Sequence, residues 1–168
     1  MGVISNRKIA NATPLSYHGI KFKSKLEVMT YRTLREKGIR AHYEPQAFRI
    51  WEGFYPKEKC WSKNSTNNLV LAKDKVRDIT YTPDFKFRYR GYTVYVESKG
   101  FETDTFKMKF KMFRKLMDNR KNVLIFEIFN KRMVLQMISL LDSLEMEERT
   151  IKKEKKNGRT DKRKKESH

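Results

Sequence analysis

Tyr81-Thr82-Pro83-Asp84-Phe85 and Val96-Glu97-Ser98-Lys99-Gly100 bracket the stretch that decides the fold. From Ile79 onward the run is rich in β-branched and aromatic residues, which suit a pleated, half-buried surface. Only Arg90-Gly91 interrupts it. The pattern predicts one strand from Ile79 to Tyr89 and another from Tyr92 to Val96, closed by a two-residue hairpin loop. Tyr89 then faces Tyr92, and stepping back along both strands puts Asp84 opposite Glu97. Glu97 and Lys99, two apart, share a face. Arginine fits poorly where a primed turn demands positive φ. A three-residue loop is the alternative, and it would turn Asp84 to the other face.

Two carboxylates facing each other across a ladder repel. Either one keeps a proton or a cation bridges them. A hard divalent ion with oxygen ligands is the natural bridge, most simply Mg²⁺ with Mn²⁺ as a substitute. The plainer reading is the solvated face of a polar hairpin, and the rest of the chain must weigh between them.

Upstream, Ser24-Lys25-Leu26-Glu27 opens a predicted helix running to about Lys37. Ser24 and Glu27 have capping-box spacing, and Gly38 is placed to terminate the helix. Leu26, Tyr31 and Leu34, with Thr30 between them, form the apolar stripe, and Glu27 falls on its flank. Glu27 therefore has two accounts: local capping, or a carboxylate aimed at a site on the sheet.

Ala41 to Trp51 reads as a first strand, with Pro45 suggesting an edge. Glu52 to Lys75 is a long polar connection, a length that marks a functional or disordered segment. Within it, Trp61 either anchors the loop to the body, the expected role, or stacks on an unpaired base. After the hairpin, Thr103 or Asp104 caps a helix reaching about Asp118, with Phe106, Phe110, Phe113 and Met117 inward. Lys107, Lys111, Arg114 and Lys115 occupy the remaining surface, either as a solvated face or holding phosphates beside the site. Asn122 to Phe129 predicts a strand internal to the sheet. A last helix carries Val134, Met137, Ile138, Leu141 and Leu144. The order predicts an α/β domain, a mixed sheet flanked by helices, over residues 19–147. Residues 1–18 are expected to be a loose arm in which Arg7 and Lys8 can touch phosphates. Residues 148–168 are expected to be a disordered basic tail.

The formal net charge is +19, of which residues 149–168 hold +7 and the preceding 148 hold +12. The folded part is basic without its tail, and the leading inference is a polyanionic partner, nucleic acid before membrane. The single cysteine, Cys60, excludes an internal disulfide framework and suits a reducing compartment. Val123-Leu124-Ile125-Phe126, the longest apolar run, is too short to span a bilayer. The expectation is a soluble intracellular protein.

Glu27 on a helix, then Pro83-Asp84, then Glu97-Ser98-Lys99 on successive strands resemble the PD-(D/E)XK nuclease superfamily, whose fold is the restriction-endonuclease-like mixed sheet. Ser24-Lys25-Leu26-Glu27, Lys37-Gly38-Ile39, Tyr43-Glu44 and the two bracketing motifs together resemble phage endonuclease I, the junction-resolving enzyme. Gly19 to Glu27 also resembles small phage proteins with the same nuclease core. The similarity covers roughly residues 19 to 115; the stretch 52–75 and the hairpin are longer here, and the C-terminal helix and tail have no counterpart. The resemblance implies a Mg²⁺-dependent DNA endonuclease acting in the cytoplasm of a phage-infected bacterium, selective for branched DNA such as a Holliday junction and working as a homodimer. It implies that Asp84, Glu97 and the Ser98 carbonyl hold the metal. Lys99 would orient or deprotonate the attacking water, and Glu27 would serve a second metal or the water network. DNA contacts are expected from Lys21, Lys23 and Lys25, and from Lys107, Lys111, Arg114 and Lys115. The alternatives are a duplex or flap endonuclease without branch selectivity, or a nucleic-acid-binding protein on this fold that does not cut.

Overall fold

In the computed structural model, which describes residues 15–144, the chain runs β1 (Leu15–Tyr17), β2 (Ile20–Phe22), α1 (Lys25–Glu36), β3 (His42–Tyr43), β4 (Phe48–Trp51), β5 (Trp61–Lys63), β6 (Leu69–Leu71), β7 (Ile79–Tyr81), β8 (Phe85–Tyr89), β9 (Tyr92–Ser98), α2 (Asp104–Met117) and β10 (Val123–Ile128). A third helix, α3, covers residues 131–144. The fold is α/β, with a mixed four-stranded sheet in the order β10-β9-β8-β3 between helices. Residues 1–14, with Arg7 and Lys8, and the tail expected at 148–168 lie outside the described residues. The last part of the expected arm is ordered differently: Leu15–Tyr17 pairs antiparallel with Ile20–Phe22, and Tyr17 packs on the core.

The hairpin has the two-residue loop. Tyr89 pairs with Tyr92 and the register holds back to Phe85 opposite Val96. Arg90 (φ 46°) and Gly91 (φ 90°) both take positive φ, so the primed turn forms despite the arginine. Arg90 lies over the Tyr89 ring and within ion-pair distance of Asp142, contacts that offset the cost of its conformation. β9 then passes through α2 to β10, which runs parallel to it, as a crossover helix permits.

Two predicted strands are each broken in half. Ile79 to Tyr89 splits into β7 and β8 at Thr82-Pro83-Asp84, and Ala41 to Trp51 splits into β3 and β4 at Glu44-Pro45. The breaks are paired: the Glu44 amide donates to the Asp84 carbonyl at 2.8 Å, the last bond of the β3–β8 ladder. Glu44 takes φ 42°, and beyond it prolines on both strands remove ladder donors. Both chains leave the sheet there and pair again as the separate ribbon β4–β7.

Two cores sandwich the sheet. Phe22, Tyr31 and Leu34 of the α1 side meet Phe85, Phe87, Val94 and Val96, with Val134, Met137 and Leu141 of α3. On the other face Phe106, Phe113 and Met117 of α2 cover Tyr95, Phe48 and Tyr81. Each fully buried side chain of this size contributes roughly 1.5–3 kcal/mol. β10 is an edge strand of this sheet rather than an internal one. Its continuous apolar run reflects coverage on both faces, Val123 and Ile125 under α2 and Leu124 and Phe126 under the other core.

Helix α1 starts and stops where the sequence predicts. The Glu27 amide donates to Ser24 Oγ at 3.1 Å. At the other end Gly38 (φ 74°) donates to the Arg35 carbonyl and Ile39 to that of Leu34, both at 2.9 Å, a Schellman closure with Leu34 and Ile39 in one core. The connection after Glu52 is not structureless. β5 and β6 form a hairpin whose tip is organised by Asn64 Oδ1, which accepts from the Thr66 and Asn68 amides. Trp61 is 56% exposed at the start of this hairpin, which does not fit the expected role of an anchor against the body.

Candidate functional site

The paired break opens a cleft of about 990 Å³ at one end of the sheet, lined by Lys23, Glu27, Tyr81, Asp84, Glu97, Ser98 and Lys99 among others. Three elements deliver the acids. Asp84 follows Pro83 just before β8 begins, Glu97 is the last but one residue of β9, and Glu27 sits in the first turn of α1. Continuing the hairpin register by one residue puts Asp84 opposite Glu97, and Asp84 Oδ2 accepts the Ser98 amide at 2.7 Å. Ser98 Oγ in turn donates to Thr30 Oγ1 of α1 at 3.1 Å, which ties helix to strand behind the site. The Lys99 amide donates to the Ile128 carbonyl at 2.8 Å, so β10 fixes the backbone that carries Lys99.

Glu97 is 4% exposed. Its Oε2 accepts the Tyr81 hydroxyl at 2.6 Å, and its Oε1 lies 3.3 Å from Lys99 Nζ. The Lys99 ammonium also stands 4.4 Å above the Phe106 ring centre, which places it between α2 and the acids. Glu27, 6% exposed, is held at both oxygens. Ser24 Oγ donates to Oε1 at 2.8 Å; Tyr43 hydroxyl and the Lys23 amide donate to Oε2 at 2.6 and 2.9 Å. The capping account of Glu27 is therefore met, with Tyr43 added, and its carboxylate still borders the cleft.

Burial pushes the Asp84 carboxyl up to about 8, with the nearby Glu97 charge adding to the effect and the Ser98 amide opposing it. Burial also raises Glu97, against the pull of Tyr81 and Lys99. Each charge disfavours the other, so the two titrate as a pair. Burial and the adjoining carboxylates hold the Tyr81 and Tyr43 phenols well above the ordinary tyrosine range, so both stay donors.

The chemistry of this donor set fits a hard divalent cation: oxygens only, two carboxylates short of positive charge, and one lysine between them and solvent. Asp84 Oδ1 accepts no hydrogen bond among the described residues, while Oδ2 is taken by Ser98. Among the described residues no group of three or more His, Cys, Asp or Glu is arranged to cage an ion. This chain would thus offer Asp84, Glu97 and a backbone carbonyl, with Glu27 engaged by its capping partners.

The expected DNA-contact residues scatter. Lys23 lines the cleft and pairs with Glu44. Lys21 is exposed, and Lys25 lines a separate small pocket beside α1. On α2 the cation that lines the cleft is Lys109, whose Nζ donates to the Thr80 carbonyl at 3.3 Å. Lys111, Arg114 and Lys115 face a different hollow against β10, and Lys107 lies 3.9 Å from Glu102. Tyr43 and Tyr81 escape a sequence reading because each stands 16 residues from the glutamate it serves. Glu127 is the lone charge in the apolar strand β10. It sits beside Glu97 on β10, and burial and Glu102 raise its carboxyl.

A family model described as "Protein of unknown function (DUF1064)" matches residues 7–132. No curated protein matches the chain, and no solved structure does.

Proposed function

The chain belongs to the family described as a protein of unknown function (DUF1064), and from the site itself we propose that it is a metal-dependent DNA endonuclease of the PD-(D/E)XK type. The single observation that carries this reading is the pair of half-buried Asp84 and buried Glu97, set opposite each other on a hairpin with Lys99 two residues on and 3.3 Å from Glu97. Burying two acids side by side raises their free energy, and a purely structural role would favour an apolar pair instead. The +19 charge supplies the complementary argument for a polyanionic substrate.

Asp84, Glu97 and the Ser98 carbonyl would hold Mg²⁺, or Mn²⁺ in its place. When bound, the ion supplies Lewis-acid charge to a phosphate oxygen and makes a neighbouring water more acidic. The chain's own residues do the rest. Tyr81 fixes the Glu97 carboxylate from behind, and the Ser98 amide fixes that of Asp84. The Lys99 ammonium orients the incoming water and offsets the charge that grows on the phosphate. Glu27, locked by Tyr43 and Ser24, places a fixed negative edge on the cleft that orders water. Ion binding must displace the proton that burial favours on Asp84, so it strengthens with pH.

Selectivity for branched DNA and action as a homodimer in a phage-infected cell rest on the resemblance to phage endonuclease I alone. Among the described residues no helix is long and apolar enough to cross a membrane. A gel assay with Mg²⁺ comparing a four-way junction, a flap, a single strand and a duplex of one sequence tests the whole proposal. Cleavage that EDTA abolishes and that is fastest on the junction is expected. EDTA-sensitive cleavage of all substrates alike leaves an endonuclease without branch selectivity, and binding with no cleavage rejects the enzyme reading. Ionic strength must be fixed, because phosphate contacts weaken steeply with salt.

A further inference from the structure

We infer that a second, cationic trough adjoining the cleft binds the DNA backbone that leaves it. The trough, about 1250 Å³, is lined by Lys37, Arg40, Lys86, Arg88, Arg120 and Lys121. Four separate segments bring these together: the end of α1, the connection to β3, strand β8, and the turn after α2. Lys86 and Arg88 alternate with buried Phe85 and Phe87, so they stand on the sheet face away from the α1–α3 core. Helix α2 covers only part of that face, over Tyr95, Val123 and Ile125.

What distinguishes this surface is missing countercharge. Among the described residues none of these six cations lies within 4.0 Å of a carboxylate oxygen. Lys86 rests over the Tyr95 ring and Arg88 donates to Thr93 Oγ1, which leaves their charges uncancelled. The one acid of the lining, Glu44, is paired with Lys23. Like charges gathered in a concave surface focus the field and repel one another until an anion enters. A basic surface serving solubility alone would spread its charges and pair many of them.

Trough and cleft share Glu44 at their boundary, and β8 runs from beside Asp84 at the cleft through Lys86 and Arg88 to the turn at Arg90. A strand with its scissile phosphate at Asp84 and Glu97 therefore finds its neighbouring phosphates over β8. The step from polyanion to DNA rests on the nuclease reading of the cleft.

The test is the salt dependence of binding, by fluorescence anisotropy, of a labelled duplex of about two helical turns to the full chain in Ca²⁺. Replacing exposed Arg40, Arg88 and Arg120 by glutamine should lower the slope of log K against log salt by about 3 and weaken binding at least roughly tenfold. Replacing Arg32 and Lys131, which line a pocket beside α1 across the sheet, should leave the slope unchanged. Equal losses in both variants would mean bulk charge and overturn the inference, as would no loss in the first. Preference for an RNA duplex, or a changed oligomeric state with the DNA slope intact, overturns it too. If the triple variant unfolds, Arg120→Gln with Lys121→Gln carries the same test with a slope change of about 2. Cleavage with an unaffected slope sinks the trough alone; a reduced slope without cleavage sinks the nuclease reading alone.

Discussion

Glu97→Gln is expected to abolish DNA cleavage, by at least about a thousandfold, while leaving DNA binding equal or tighter. The amide keeps the shape of the side chain and still accepts the Tyr81 hydroxyl that now holds Oε2 at 2.6 Å, so the fold has no reason to fail. What disappears is the negative charge that would hold the ion. The Lys99 ammonium, 3.3 Å away, loses its carboxylate and is released to the phosphate. Removing a buried like charge from a phosphate-binding cleft favours the anion. Binding and single-turnover cleavage measured on the same duplex check both halves, and loss of affinity with an intact fold would count against the assignment.

The second large effect is on stability. The Asp84 carboxyl, held up to about 8 against an ordinary 3.8 by burial and Glu97, keeps its proton in the folded protein over a range where the unfolded chain has lost it. Through this interval the folded state binds more protons, so the stability of the ion-free protein falls as pH rises from about 4 to about 8. The contribution lost reaches up to about 5 kcal/mol. Asp84→Asn removes the dependence while Asn Oδ1 can still accept the Ser98 amide. In EDTA at pH 9 the variant should unfold roughly 10 °C above the parent chain, and at pH 4 the two should converge. Comparing two chains of equal size cancels the general effect of +19 on acid stability. A parent chain that gains stability over the variant as pH rises would show that Asp84 is an ordinary ionised surface acid.

These effects concentrate on residues that were legible in the chain because they are local. Tyr89-Arg90-Gly91-Tyr92 left two registers open, and the two-residue loop that forms is the one that sets Asp84 opposite Glu97. The turn formed with Arg90 at φ 46°, a conformation the residue alone does not favour but the hairpin imposes. Ser24, Glu27 and Gly38 announced both ends of α1 for the same reason: their partners lie within five residues. What stayed hidden is non-local. Pro45 and Pro83 are visible in the sequence, but only pairing between β3 and β8 makes their breaks coincide and open a cleft. Lysines on α2 differ by one helical position in which surface they reach, so Lys109 enters the cleft while Lys107, Lys111, Arg114 and Lys115 do not. The trough draws on Arg40, Arg88 and Arg120, which no window of sequence contains together.

One divalent ion is proposed to bind between Asp84 and Glu97. Anomalous scattering from a crystal grown with Mn²⁺ tests it most directly. A single strong peak between those two side chains, lost in Asp84→Asn, is the predicted result. No peak there in the parent chain, with the two carboxylates directed to opposite sides of the sheet, would contradict it.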